Sequence, residues 1–178
     1  MTPFEIALGS PNPPPGSILV FGESARAVAL RDGRLLQVRE ISGAGFPGGG
    51  VQRGETPEEA VRREVLEETG YAITRVGACI GIKMSYLPGT LNFDGVFWVV
   101  RHWFFLCEVE ETPGQSPALE GYEKDYEMHA AWLTPEEAME ANARVIAQDA
   151  RLAETARQRM QTLEAVVGAL GDSGFMRV

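Results

Sequence analysis

The sequence predicts an α/β fold whose sheet is covered on both faces, and three observations point to it. A segment with strong helix start and stop signals, 57–69, lies between runs rich in β-forming residues. The run 93–109 carries large apolar side chains at both odd and even positions, the pattern of a strand packed on two sides. The last third is rich in Ala, Glu, Arg, Gln and Leu, with apolar residues every three or four positions. With 178 residues and 44% hydrophobic content, the chain can build one core but not two large ones.

Taken in order, the segment 11–17 holds four prolines, a glycine and a serine, so the first strand is expected near Ile18, with 1–17 as a peripheral arm. The main body is placed at 18–147 and a C-terminal helical extension of the same domain at 148–178. Two apolar runs, Ala25 to Leu30 and Leu35 to Arg39, flank an Asp32-Gly33 step, which predicts a hairpin. Phe46, Pro47 and three successive glycines, Gly48 to Gly50, then form an entry that permits close backbone approach and leaves carbonyls accessible as hard oxygen ligands.

The helix that follows is specified at both ends. Thr56 suits the N-cap, Pro57 the first position and Glu59 the capping box, while Gly70 can stop the helix with positive φ. Val61 and Val65 lie beside its acidic face and are expected to seat it on a sheet. Ile73 to Lys83 and Phe93 to Val109 are read as strands, Glu111 to Gly121 as a loop, and the acidic run Tyr122 to Glu127 leads to a short strand closed by Trp132. Thr134, Pro135, Glu136 and Glu137 repeat the capping chemistry and start a second helix. Beyond it, Leu152, Ala156, Met160, Leu163, Val167 and Leu170 form an amphipathic stripe that can dock on the sheet, fold as a helical hairpin or pair two copies as a homodimer.

A formal charge of −9 and a pI near 4.8 exclude nonspecific binding to a nucleic-acid backbone, which needs clustered Lys and Arg. The most apolar run, Val96 to Cys107, is interrupted by Arg101 and His102 and is shorter than the roughly 20 residues of a membrane span. No membrane partner is expected. Cys79 and Cys107 have neither zinc nor redox spacing and read as buried reduced thiols. The first residues show no basic region followed by an apolar stretch, and a cytoplasmic location is expected.

Glu64, Glu67 and Glu68 stand at i, i+3 and i+4, so they share roughly 100° of one helix face and can converge on one volume. A solvated acidic helix is the commoner meaning of such a charge run. The surroundings argue otherwise: Gly49, five residues, Glu55, seven residues, then Arg63, Glu64, Val65, Leu66, Glu67, Glu68, Thr69, Gly70 and Tyr71. This spacing resembles the signature of the Nudix hydrolases at every specified polar and glycine position, with Tyr71 standing where the pattern asks for a bulky aliphatic residue.

The resemblance covers 23 of the 178 residues. It implies a Nudix-type α/β/α sandwich with a mixed β-sheet and a C-terminal helical extension. It also implies hydrolysis of the pyrophosphate bond in a nucleoside diphosphate linked to another moiety, ADP-ribose or a nucleotide sugar among them. Nucleoside triphosphates and dinucleoside polyphosphates are alternative substrates, and a noncatalytic nucleotide sensor is a further alternative. Clustered carboxylates suit Mg²⁺ or Mn²⁺ rather than zinc, and a cation between them and the phosphates answers the repulsion an acidic protein would exert on its substrate. The implied metal ligands are Glu64, Glu67 and Glu68 with the carbonyl of Gly48 or Gly49. Glu64, Glu67 and Arg63 make up the implied catalytic set, Arg63 as a support paired with Glu55. The general base is sought among Glu120, Glu123 and Glu127, with Glu127 carried into that set. Phe46 and Tyr86 are candidates for stacking on a nucleotide base. Tyr86 and Pro88, 15 and 17 residues past Tyr71, come near the family's spacings for dinucleoside polyphosphate and ADP-ribose hydrolysis without meeting either, and Leu87-Pro88-Gly89 also suits a turn.

Overall fold

A computed structural model describes residues 2–89, 95–119, 126–172 and 174. Its strands are β1 (Phe4–Leu8), β2 (Ile18–Val28), β3 (Leu30–Arg31), β4 (Arg34–Glu40), β5 (Gly43–Gly45), β6 (Gly48–Gly50), β7 (Ile73–Pro88), β8 (Val96–Val109) and β9 (His129–Leu133). The helices are α1 (Pro57–Thr69), α2 (Pro135–Gln148) and α3 (Ala153–Asp172). Five strands form a mixed sheet in the order β1-β7-β8-β2-β6, in which β1 runs parallel to β7 and β2 parallel to β8. In the second sheet β4 pairs antiparallel with β3, β5 and β9.

Alternation along β2 explains the layering. Ala25 and Ala27 face α1, where they pack with Ala60, Val61, Val65, Leu36, Phe105 and Cys107. Val28 faces the other way, into a core of Ile80, Phe104, Ala138, Leu163, Val166 and Leu170 beneath α2 and α3. The sheet is thus buried on both faces, as the two-sided apolar pattern of β8 requires.

Local signals match the elements they announce. The hairpin turns at Asp32 and Gly33, both at positive φ (49° and 73°), with Leu30 opposite Leu35. Helix α1 begins on a full capping box, Thr56 accepting from the Glu59 N–H at 3.2 Å and Glu59 accepting from the Thr56 N–H at 2.8 Å, and stops at Gly70 with φ 74°. Replacing Thr56 with Ala removes that cap, so a loss of about 1 kcal/mol is expected. Thermal denaturation checks this, and an unchanged midpoint would contradict it.

One expectation needs correction. The first strand is Phe4–Leu8, not one starting near Ile18, and the arm is a sheet strand rather than peripheral. Phe4 lies 5.3 Å from the Phe104 ring, and a Cβ on Gly81 would sit 2.2 Å from the Phe4 ring. The alternation of Phe4, Ile6 and Leu8 carried this signal ahead of the prolines. After Pro135 the chain forms two helices, α2 and α3, in line with a second helix followed by a helical extension. The chain breaks at Asp149, in extended conformation, and Arg151 binds the Asp149 carboxylate there. The stripe docks on the sheet through Ala156, Leu163, Val166 and Leu170. No helix among the described residues is long and apolar enough to cross a membrane.

Candidate active site

Strand β6 lies antiparallel to β2, with Gly48 opposite Arg26 and Gly49 opposite Ala25. Two of its glycines have separate reasons. Gly48 has φ 133°, and a Cβ there would stand 2.1 Å from the Ala25 carbonyl oxygen. At Gly49 a Cβ would fall 2.3 to 2.5 Å from the atoms of the Glu64 carboxylate. The glycine strand is therefore the surface against which α1 sets its acids. Gly48 N–H donates to Glu68 Oε2 at 2.8 Å, and Glu68 is only 4% exposed.

Arg63 fastens this assembly. It donates to both Glu55 oxygens (2.9 and 3.0 Å), to the Gly50 carbonyl (3.0 Å), to Glu64 Oε1 (2.7 Å) and to Glu67 Oε2 (3.1 Å). The fork geometry suits guanidinium and could not be reproduced by lysine. The hydrogen bonds from Arg63 lead in holding the Glu55 carboxyl below its ordinary range, and Glu55 in turn raises the Arg63 guanidinium. Tyr71 packs edge-on to Trp132 at 6.0 Å and accepts its indole N–H at 3.2 Å, a polar contact that an aliphatic residue could not make.

Of the three expected metal carboxylates, the structure brings two together. Glu64 and Glu68 line one cavity of about 380 Å³ with Gly48, Gly49 and Gly50, whereas Glu67, its side chain 45% exposed, turns to Arg63 one helical turn earlier and lies outside it. Among the described residues no three of His, Cys, Asp and Glu converge as a metal cluster. Two carboxylates nonetheless fit Mg²⁺ or Mn²⁺, which commonly takes one or two and completes its shell with water and phosphate oxygens. The Gly48 carbonyl accepts from the Arg26 guanidinium, so that cation already occupies one of its lone pairs.

The other candidates separate. Phe46 lines the cavity, edge-on to Phe104 at 5.9 Å. Tyr86 pairs with Val99 on the outer stretch of β7, and it is not among the cavity residues. Glu127 is exposed, at φ 53°, and it is the adjacent Met128 that lines the cavity. Glu120 and Glu123 lie outside the described residues.

Several cavity residues had escaped the sequence reading: Arg26 from β2, Lys83 from β7, Gln37 and Glu40 from β4, and Arg159 and Thr162 from α3. A charged or amide side chain set within an apolar strand run was the available signal at Arg26, Gln37 and Lys83. Burial, reinforced by Arg26 and Arg159, pushes the Lys83 ammonium down to about 7, so an anion entering the cavity would favour its charged form. Beside it His102 bridges Ser24 Oγ (2.6 Å) and Ser85 Oγ (3.0 Å), held neutral because burial pushes it down to about 2. Both cysteines are free thiols, and burial pushes Cys107 up to about 12, which makes it unreactive.

Known proteins resemble this chain in sequence and fold. The family profile described as NUDIX domain matches residues 20–155. A MutT-like protein of Streptomyces ambofaciens is 32% identical over 142 residues, 76% of this chain and 75% of that one. The 8-oxo-dGTP diphosphatase of Escherichia coli (strain K12) is 41% identical over 58 residues, 33% of this chain and 43% of that one. Among solved structures, a NUDIX hydrolase from Nitrosomonas europaea has the same fold, with a TM-score of 0.50 at 23% identity over 68% of this chain and 78% of that one. An acid-bearing helix locked to a glycine strand, matched by the family profile over most of the chain, makes this protein a member of the NUDIX family and a pyrophosphohydrolase.

Proposed function

We propose that the protein hydrolyses the pyrophosphate linkage of a nucleoside triphosphate, releasing a nucleoside monophosphate and pyrophosphate, with Mg²⁺ or Mn²⁺ held by Glu64 and Glu68. The observation that carries this reading is one cavity lined by those two carboxylates, by the cations Arg26 and Lys83, and by the apolar side chains of Phe46, Phe104 and Met128. Carboxylates for a cation, cations for phosphate oxygens and an apolar surface for a base are the three parts a nucleotide site needs. When bound, the divalent ion supplies neutralisation of phosphate charge and activation of water. Arg26 and Lys83 orient the phosphate chain, and Arg63 holds Glu64 in place while Gly48 N–H holds Glu68.

Matches to a MutT-like protein and to an 8-oxo-dGTP diphosphatase support the triphosphate reading. The resemblance by itself implies a nucleoside diphosphate linked to a second group, with Pro88 near the family's spacing for ADP-ribose and Tyr86 near that for dinucleoside polyphosphates. Both stand outside the cavity, on β7 with Pro88 opposite Phe97 and Tyr86 opposite Val99, and so lend those alternatives no contact.

The purified protein is to be incubated with Mg²⁺ and a panel of nucleoside triphosphates, ADP-ribose, nucleotide sugars and dinucleoside polyphosphates. Monophosphate and pyrophosphate are expected from a triphosphate, with the reaction abolished by EDTA and restored by Mg²⁺ or Mn²⁺. Cleavage confined to ADP-ribose or nucleotide sugars would replace the proposal with the diphosphate reading. Nucleotide binding without any metal-dependent product would make the protein a sensor.

A further inference from the structure

The cavity ends in a polar wall that hydrolysis does not use. Gln37 lines it from β4, and although the residue is only 1% exposed its amide Nε2 has no hydrogen-bond partner among the described residues. Arg159 reaches the same cavity from α3. One arm of its guanidinium, Nη2, pairs with Glu40, while the other, Nη1, is buried and equally without a partner. Gly45 makes room for it, since a Cβ there would lie 3.4 Å from Arg159 Nε. Arg159 and Ser42 Oγ, the latter at 2.6 Å, both donate to Oε1 of the nearby Glu40 carboxylate. Thr162 Oγ1 donates its hydrogen to the Gln158 carbonyl at 2.7 Å.

Two buried donors without acceptors form an arrangement that folded proteins rarely leave unused, because each forfeits the hydrogen bond it made to water. Both residues line a cavity to which Phe46, Phe104 and Met128 add apolar surface. We propose that Gln37 and Arg159 read the base of the bound nucleotide and select an oxo base, one presenting carbonyl acceptors, over an amino base. The inference rests on the nucleotide reading of the preceding subsection. Guanine offers O6 and N7, and uracil or thymine offers O4, whereas adenine and cytosine would turn an amino donor toward the two protein donors. An amide can rotate to offer its oxygen, but a guanidinium has no acceptor, so Arg159 sets the polarity of the pair.

The test compares kcat/KM for dGTP and dTTP with that for dATP and dCTP, in the wild type and in two variants. Wild-type protein is expected to favour the oxo bases by about tenfold or more, and the dGTP to dTTP ratio identifies which carbonyl-bearing ring is preferred. Gln37→Glu is nearly isosteric and replaces the donor with an acceptor, so it should shrink that preference by about tenfold. The double substitution Glu40→Gln with Arg159→Met removes the second donor without stranding a buried carboxylate, and should shrink it similarly. A wild type indifferent to the four bases would overturn the proposal, as would an unchanged preference in both variants with melting curves like the wild type. If Gln37→Glu does not fold, the wild-type panel and the double variant decide. If no triphosphate is hydrolysed, the hydrolytic reading fails separately. Titration calorimetry of the same four nucleotides with Mg²⁺ then decides base choice, an oxo preference sustaining the proposal and equal affinities overturning it.

Discussion

Glu68→Gln is expected to lower kcat by about 10²-fold or more while the protein stays folded. The Glu68 side chain is buried and one of its oxygens accepts the Gly48 N–H at 2.8 Å. Glutamine keeps an oxygen for that bond and nearly the same volume, so β6 retains its anchor against α1. What it loses is the negative charge with which Glu68, beside Glu64 in the same cavity, would hold the proposed divalent cation. Steady-state turnover at saturating Mg²⁺, with a melting curve on the same sample, separates the two effects. A variant with wild-type kcat would remove Glu68 from the machinery, whereas one that simply unfolds would show the carboxylate to be structural.

Gly48→Ala should act on stability first. The glycine sits at φ 133°, a region that side-chain-bearing residues seldom occupy, and the new methyl would stand 2.1 Å from the Ala25 carbonyl oxygen. The methyl is fixed by the backbone and the atom it meets is itself backbone, so no rotamer relieves the clash. Backbone strain and loss of the β2–β6 pairing together should cost about 3 kcal/mol, which for a chain of this size lowers the melting midpoint by roughly 10 °C. Thermal denaturation measures the shift, and a midpoint within a degree or two of wild type would mean that β6 can move away from β2 at little cost. The adjacent Gly49 differs in kind, because its added Cβ would meet the movable Glu64 carboxylate instead of backbone.

Much of this architecture was legible because its signals are local. Thr56, Pro57, Glu59 and Gly70 bound α1 by chemistry confined to one turn at each end, and the helix begins and stops where they place it. Asp32 and Gly33 reverse the chain for the same reason. The strand at Phe4–Leu8 escaped notice because five residues of alternation carry less weight than four prolines following them, and only its pairing with Gly81 to Ser85 makes it a strand. Asn142 is a comparable case: buried in α2, it accepts from the Ala44 N–H at 3.0 Å and donates to the Ala44 carbonyl at 3.1 Å, a tie between positions 98 residues apart.

In the sequence alone, the i, i+4 spacing already put Glu64 and Glu68 on one side of a helix and the glycines beside it, since helix pitch and backbone freedom are properties of neighbouring residues. Which acids would share a cavity was decided by the fold. Arg63 pairs with both Glu64 and Glu67, but only Glu64, admitted by Gly49, and Glu68, bound by Gly48 N–H, line the cavity. The opposite wall, with Arg26, Gln37, Lys83 and Arg159, assembles from two strands of the mixed sheet, one of the second sheet and the last helix. No periodicity links residues so distant along the chain; strand order and the packing of α3 onto the sheet bring them to one cavity.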